Sequence, residues 1–223
     1  MKHSIIVALD EHNQEKFDDV LSQLDPSLCM VKIGSVSFNS LGRECVIKAA
    51  EKGFDIFLDL KLHDIPNTVK KSINGLVNLP IKMITVHASG GQKMLEESVA
   101  ATMNTDIKIF GVTALTSLSD TDTNFIYKRE AKEQVLAMIE LAKKSSIHGV
   151  VCSPQELSLV KNNSNLLTIT PGIRLKSLDD DQTRVMTPKE AIDNGSDFLV
   201  IGRPITASNN IKDSLKEIYD SIQ

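Results

Sequence analysis

Five charged side chains gather at the ends of three short apolar runs. Asp10 follows Ile6, Val7, Ala8 and Leu9; Lys32 lies inside Met30–Val31–Lys32–Ile33–Gly34; Asp59 and Lys61 alternate with leucines in Phe57–Leu58–Asp59–Leu60–Lys61. Asp64 comes just past the third run. Side chains alternate between the faces of a strand. Asp59 and Lys61 therefore share one face, and Leu58 and Leu60 share the other. A lysine in the middle of an apolar strand is costly unless it is paired or hydrogen-bonded. The bland reading is a buried ion-pair network that only fixes the fold. Such networks contribute weakly to stability and can be replaced by apolar packing. Charges gathered in this number instead read as acid–base equipment.

A second set lies near the C-terminus. Thr170–Pro171–Gly172–Ile173–Arg174 and Val200–Ile201–Gly202–Arg203–Pro204 each join a glycine to an arginine at the end of an apolar run. Glycine lets a ligand approach the backbone closely. Free backbone N–H groups and a guanidinium fork bind phosphate oxygens. His63 adjoins the charged array on the opposite parity to Lys61 and reads as a packing residue. His87 ends an apolar run, where a hydrogen-bonded core role is at least as good a reading as catalysis. Asp59, His87 and Asp64 are metal-ligand types, but two lysines in the same array repel a divalent cation. No metal site is expected.

The elements that must position these groups alternate along the chain. Strand patterns cover residues 5–9, 30–34, 56–60, 84–87, 107–112, 149–152, 167–170 and 198–202. Helical patterns cover 14–24, 38–52, 68–76, 91–103, 131–144, 154–160, 188–194 and 210–222. Such alternation implies a parallel sheet. At this length a single α/β domain over residues 1–223, a (β/α)8 TIM barrel, leads over an open doubly wound sheet. Barrel enzymes keep their sites at the C-terminal ends of the strands, and phosphate commonly sits after strands seven and eight. Both charged sets fall there. Two polar loops, at 117–124 and 175–183, follow strands five and seven.

Composition bounds the rest. The chain has 223 residues, 41% hydrophobic and 24% charged, with 25 Lys and Arg against 29 Asp and Glu for a net charge of −4. That balance fits an ordinary globular protein with a sizeable core and gives no electrostatic case for a nucleic-acid partner. Cys29, Cys45 and Cys152 are odd in number and far apart. They suggest neither a disulfide framework nor a zinc site, and they point to a reducing compartment. The residues before the first strand are too few for a signal peptide, and no apolar run reaches membrane-spanning length. A cytoplasmic protein is expected.

Asp59–Leu60–Lys61–Leu62–His63–Asp64–Ile65–Pro66–Asn67–Thr68 resembles the DxKxxDIPNT signature of bacterial orotidine 5′-phosphate decarboxylases. The flanks agree in order along nearly the whole chain. They include Val7–Ala8–Leu9–Asp10, Val31–Lys32–Ile33–Gly34, Val86–His87–Ala88–Ser89–Gly90–Gly91, Val112–Thr113–Ala114–Leu115–Thr116–Ser117 and Gly149–Val150–Val151–Cys152–Ser153. Asp181–Gln182–Thr183–Arg184 and Ile201–Gly202–Arg203–Pro204–Ile205–Thr206 complete the set. DxKxxD alone is shared with related sugar-phosphate decarboxylases and synthases. The DIPNT extension, Gln182 and Arg203 discriminate. A slightly short loop between Arg174 and Gln182 is the one departure.

The resemblance implies a dimeric enzyme of pyrimidine biosynthesis that converts orotidine 5′-monophosphate to UMP and carbon dioxide without metal or organic cofactor. It implies that Lys32, Asp59 and Lys61 form an alternating array completed by Asp64 of the partner subunit. Asp10, Lys32, Asp64, Ile65 and Thr68 would lie at the ribose or its surroundings, and Thr116 at the pyrimidine. Gln182 would bridge base and phosphate, with Arg174, Gly202 and Arg203 at the phosphate. Loss of carbon dioxide from C6 leaves a carbanion with no neighbouring electron sink, which Lys61 would stabilise and protonate. Asp59 would repel the substrate carboxylate, a contribution of disputed weight. Two other readings stand beside this one. One is a metal-dependent sugar-phosphate decarboxylase or hexulose-phosphate synthase. The other is a catalytically silent barrel that binds nucleotides.

Overall fold

In a computed structural model that describes residues 4–115, 118–174 and 186–223, eight parallel strands close into one barrel in the order β1 to β8. The strands are β1 (Ile5–Leu9), β2 (Met30–Gly34), β3 (Ile56–Leu62), β4 (Met83–His87), β5 (Lys108–Val112), β6 (Gly149–Val151), β7 (Leu167–Pro171) and β8 (Phe198–Ile201). Pairing of β8 with β1, Leu199 opposite Ile5, closes the ring. The (β/α)8 expectation holds, with strand limits shifted by one or two residues.

The helices among the described residues are α1 (Gln14–Gln23), α2 (Ser35–Leu41), α3 (Glu44–Glu51), α4 (Pro66–Asn74), α5 (Gln92–Thr102), α6 (Asp120–Tyr127), α7 (Ala131–Lys144), α8 (Leu157–Asn163), α9 (Pro188–Asp193), α10 (Arg203–Thr206) and α11 (Ile211–Ser221). Single 3₁₀ turns at Ala88–Gly90 and Pro154–Glu156 precede α5 and α8.

Two expectations need correction. The single helix read over 38–52 is two helices, because Gly42 takes φ +69° and ends α2. That backbone region is open to glycine and strained for other residues. The stretch read as a polar loop after strand five contains α6. Its polar residues build a helix start: the Ser119 hydroxyl accepts the Asp122 N–H, and the Asp122 carboxylate accepts the Ser119 N–H. Polarity there reflects capping chemistry. The loop read at 175–183, with Gln182, lies outside the described residues, as does Thr116.

Two apolar clusters fill the molecule. The larger lies between sheet and helices and takes the odd residues of β1, Ile5, Val7 and Leu9, with Val31, Ile33, Ile56 and Leu58. The smaller fills the barrel interior with Ile6, Ala8, Met30, Phe57, Met83, Phe110, Ile169, Phe198 and Val200. Phe110 meets Phe57 and Phe198 edge-on, with ring centroids 6.5 and 6.3 Å away. Full burial of each such ring contributes roughly 2–3 kcal/mol. This inner cluster floors the site. On each of four neighbouring strands an interior apolar residue is followed two places later by a polar one: Ala8 by Asp10, Met30 by Lys32, Phe57 by Asp59 and Met83 by Thr85.

Candidate active site

Parallel register sets the charged layer. Lys32 pairs with Ala8 on one side and Phe57 on the other, and Gly34 pairs with Asp59. The result is a chain of alternating charge across three strands. Lys32 Nζ lies 2.8 Å from Asp10 Oδ1 and 3.8 Å from Asp59 Oδ2. Lys61 Nζ lies 2.6 Å from the same Asp59 Oδ2. Asp59 and Lys32 are 7% and 8% exposed, and Asp10 is open to solvent. Two ammonium groups thus share one buried carboxylate oxygen above an apolar floor. Lys61 to Asp59 and Lys32 to Asp10 are charge-assisted hydrogen bonds, the strong kind, while Lys32 and Asp59 form an ion pair without one.

The array leans on residues that sequence reasoning did not single out. Gly34 stands directly above Lys32 on the same strand face. A Cβ there would fall 2.8 Å from Lys32 Nζ and 3.1 Å from Asp10 Oδ1, so a side chain at this position would displace the lysine from the place it holds in the ion pair. Ser37 of α2 is fully buried beside the end of β1. Its hydroxyl accepts the Glu11 N–H at 2.9 Å and lies 2.8 Å from the carbonyl oxygens of both Leu9 and Glu11. The chain on both sides of Asp10 is held by that one side chain. Thr85, also fully buried, donates its hydroxyl to Asp59 Oδ1 at 2.9 Å and accepts the Lys61 N–H at 2.8 Å. Parity would have placed Gly34 and Thr85 on the interior face. Nothing in their residue types marks them as charged-site neighbours.

Lys61 departs from ideal strand geometry. It has φ +50°, and the register of β3 on β4 shifts between Leu58 and Leu62. Alternation predicted the side it faces but not this bulge. Beyond it, His63 and His87 lie with ring centroids 5.2 Å apart and planes 37° from parallel. His87 is pushed below the ordinary imidazole value, by burial first and then by the charges of His63 and Lys61, with Asp59 opposing. Its ring packs against that of His63 at the mouth.

Asp64, Ile65 and Thr68 are exposed on the rim between β3 and the first turn of α4. Asp64 Oδ1 accepts the N–H of Ile65 at 2.6 Å, and among the described residues no ion pair joins it to the array. Across the mouth, Arg174 follows β7, and its N–H donates to the Met186 carbonyl at 3.1 Å. Gly202 caps the end of β8, and Arg203 opens α10 with an exposed side chain. The Gly202 carbonyl accepts the N–H groups of Ile205 and Thr206. The structure therefore brings Asp10, Lys32, Asp59 and Lys61 into one array. It leaves Arg174 and Arg203 at the ends of β7 and β8, on the same face of the barrel. No group of three His, Cys, Asp or Glu among the described residues is placed to hold a metal ion. No helix of the described residues is long and apolar enough to cross a membrane.

Residues 3–218 match the family described as orotidine 5′-phosphate decarboxylase / HUMPS. The orotidine 5′-phosphate decarboxylase of Actinobacillus succinogenes is 42% identical over 229 residues, covering 100% of this chain and 99% of that protein. The enzyme of the same name from Saccharophagus degradans is 44% identical over 220 residues, covering 96% of this chain and 92% of that one. Among solved structures, orotidine 5′-phosphate decarboxylase from Lactobacillus acidophilus superposes with a TM-score of 0.87 at 35% identity, covering 98% of each chain. Orotidine 5′-monophosphate decarboxylase from Methanocaldococcus jannaschii, at 19% identity and a TM-score of 0.81, shares the fold.

Proposed function

Given that this chain belongs to the orotidine 5′-phosphate decarboxylase / HUMPS family of enzymes, we propose that it converts orotidine 5′-monophosphate to UMP and carbon dioxide, a step of pyrimidine biosynthesis, with Lys61 as the reacting group and no metal or organic cofactor. The observation that carries this reading is the pair of lysines on the buried Asp59 carboxylate, with Lys61 Nζ at 2.6 Å and Lys32 Nζ at 3.8 Å. In the reaction the bond between C6 and its carboxylate breaks, and carbon dioxide leaves. The electron pair stays on C6. The Lys61 ammonium faces that charge as it develops, and one of its protons moves to C6. Solvent then restores the lysine.

Asp59 does two things in this scheme. It aims the Lys61 ammonium by accepting its hydrogen bond at 2.6 Å, and it sets a negative charge beside the substrate carboxylate. Two unit charges about 4 Å apart interact by roughly 4 kcal/mol at an effective dielectric near 20. That is too little for a large acceleration alone, and the weight of ground-state repulsion is disputed. Preorganised charge and remote binding energy supply the rest. The remote energy comes from the phosphate, held by Arg174, Gly202, Arg203 and Gln182, while Thr116 meets the pyrimidine and Asp10 and Lys32 the ribose. The enzyme acts as a homodimer in which Asp64 completes the partner's site, with Ile65 and Thr68 beside it at the ribose. Their exposure on the rim, apart from their own array, supports this. The described cysteine thiols are free and buried, a state that suits the reducing cytoplasm where we place the enzyme.

The test is direct. The purified full chain is mixed with orotidine 5′-monophosphate, with and without exhaustive chelation, and the loss of orotate absorbance is followed. Turnover that survives chelation is expected. Absence of turnover overturns the substrate assignment. Turnover that is lost on chelation and restored by a divalent cation moves the chain to metal-dependent chemistry.

A further inference from the structure

The strand that carries the reacting pair is irregular where regularity would be expected. Between Leu58 and Leu62 the ladder to β4 loses its register. Lys61 sits in that gap with φ +50°, one of three non-glycine residues with positive φ among the described residues. Holding a side-chain-bearing residue in this region is strained, and it persists only where surrounding contacts over-determine it. One such contact is a side chain. The Thr85 hydroxyl takes the Lys61 N–H at 2.8 Å, in place of a strand-to-strand carbonyl, and gives its own proton to Asp59 Oδ1 at 2.9 Å.

The direction of these two bonds is forced. An amide N–H can only donate, and an ionised carboxylate can only accept. The hydroxyl between them has one proton and two lone pairs, so its proton goes to Asp59 and a lone pair meets Lys61. With Oδ1 engaged in this way, Oδ2 is the oxygen left to Lys61 Nζ and Lys32 Nζ. The same atom thus fixes the Lys61 backbone and the orientation of the carboxylate that its ammonium touches.

We propose that Thr85 is a positioning residue for the decarboxylation, setting the Asp59–Lys61 geometry through its hydroxyl without touching the substrate. This rests on the assignment of that pair as the reacting groups. A valine at position 85 keeps the shape but removes the hydroxyl, leaving a buried carboxylate oxygen and a backbone N–H without their partner. A serine keeps the hydroxyl and removes only a methyl group.

Thr85→Val and Thr85→Ser are compared with wild type for kcat, KM and thermal unfolding, and the crystal structure of Thr85→Val is determined. Thr85→Val is expected to lower kcat on the order of 10²-fold, the scale of a small misplacement of a reacting group, with KM within about threefold. Thr85→Ser is expected to recover kcat to within a few-fold of wild type. In the crystal, Lys61 should leave its positive-φ conformation or its contact with Asp59 Oδ2 should lengthen. Retention of wild-type kcat by Thr85→Val overturns the proposal, as does an equal fall in Thr85→Ser. Unchanged Asp59 and Lys61 geometry in the crystal overturns it whatever the activity. If Thr85→Val does not fold, Thr85→Ala takes its place against Thr85→Ser, with the same criteria. A wild-type enzyme inactive on orotidine 5′-monophosphate overturns the substrate reading instead, and the crystallographic comparison then decides the role of Thr85 alone.

Discussion

At the N-terminal ends of the strands, Lys161 of α8 reaches Asp197, the residue before β8, at 2.7 Å. The same Asp197 Oδ2 accepts the Thr168 N–H at 2.8 Å and its hydroxyl at 2.9 Å, and the Asp197 N–H donates to Thr168 Oγ1 at 3.1 Å. One cation meets one anion, and the backbones of β7 and β8 take up the remaining valences. Both side chains are about a third exposed. At the opposite mouth two cations converge on one buried carboxylate oxygen, and among the described residues no backbone N–H donates to that oxygen. The lower network works as a fastener between α8, β7 and β8. The upper one holds its charges above an apolar floor, where the proposed function would have a substrate use them. Position in the barrel, not residue type, separates the two roles.

The largest effect that could break this contrast belongs to Lys61. Lys61→Ala should reduce turnover by at least about 10³-fold, since it removes both the charge and the proton. Its thermal midpoint should stay within a few degrees of wild type, because the mouth is not where the fold is tied. Steady-state kinetics beside a melting curve check both halves. A variant that melts early yet turns over would reverse the assignment.

At the lower network the outcome should be opposite. Asp197→Ala removes the acceptor for Lys161 and for Thr168. It should cost about 1–3 kcal/mol of stability, the range for hydrogen bonds to a charged group. Turnover at a temperature where the variant is folded should hold within about twofold. Urea denaturation and the absorbance assay read the two quantities.

The smallest expected effect concerns a histidine at each end. His148, just before β6, accepts the Ile109 N–H on Nδ1 at 3.1 Å and is pushed below its ordinary value by burial first and then by Lys108. His87 at the mouth is shifted the same way. A histidine whose folded value is depressed binds protons more readily in the unfolded chain. The stability it confers is full above about pH 6.5 and is lost as pH falls from there through the folded value. Denaturation midpoints measured from pH 7.5 to 5.0 should therefore fall, and His148→Gln should fall less steeply. A variant that keeps the full wild-type slope would remove His148 as a contributor.

Much of this division was readable in the chain itself. Alternation along Phe57–Leu58–Asp59–Leu60–Lys61 put two charges on the interior face, and the run around Lys32 supplied the third, because a period of two is a local property. Parity reaches the face of Gly34 and Thr85, but the parts that they and Ser37 play were not readable. Their importance depends on which residue of the next strand or helix stands opposite, and register is set by the closure of the whole barrel. The break at Gly42 and the start of α6 failed for a different reason. A glycine that ends a helix and polar residues that cap one look, in sequence, like a continuing pattern and a solvated loop.

The pairing of β8 with β1 has a consequence for the order in which this molecule is made. Leu199 donates its N–H to the carbonyl of Ser4, near the opposite end of the chain. A nascent chain emerging from the ribosome exposes the residues of β1, β2 and β3, and with them Asp10, Lys32, Asp59 and Lys61, long before β8 exists. Until then β1 has an open edge, and the interior cluster lacks Phe198 and Val200. Contacts this distant in sequence are slow to form, and the exposed edges and apolar surface of an unclosed sheet invite aggregation. The charged layer that would serve catalysis also lies across that half-built barrel. Any sheet formed before closure would carry ions instead of bare hydrocarbon at one rim.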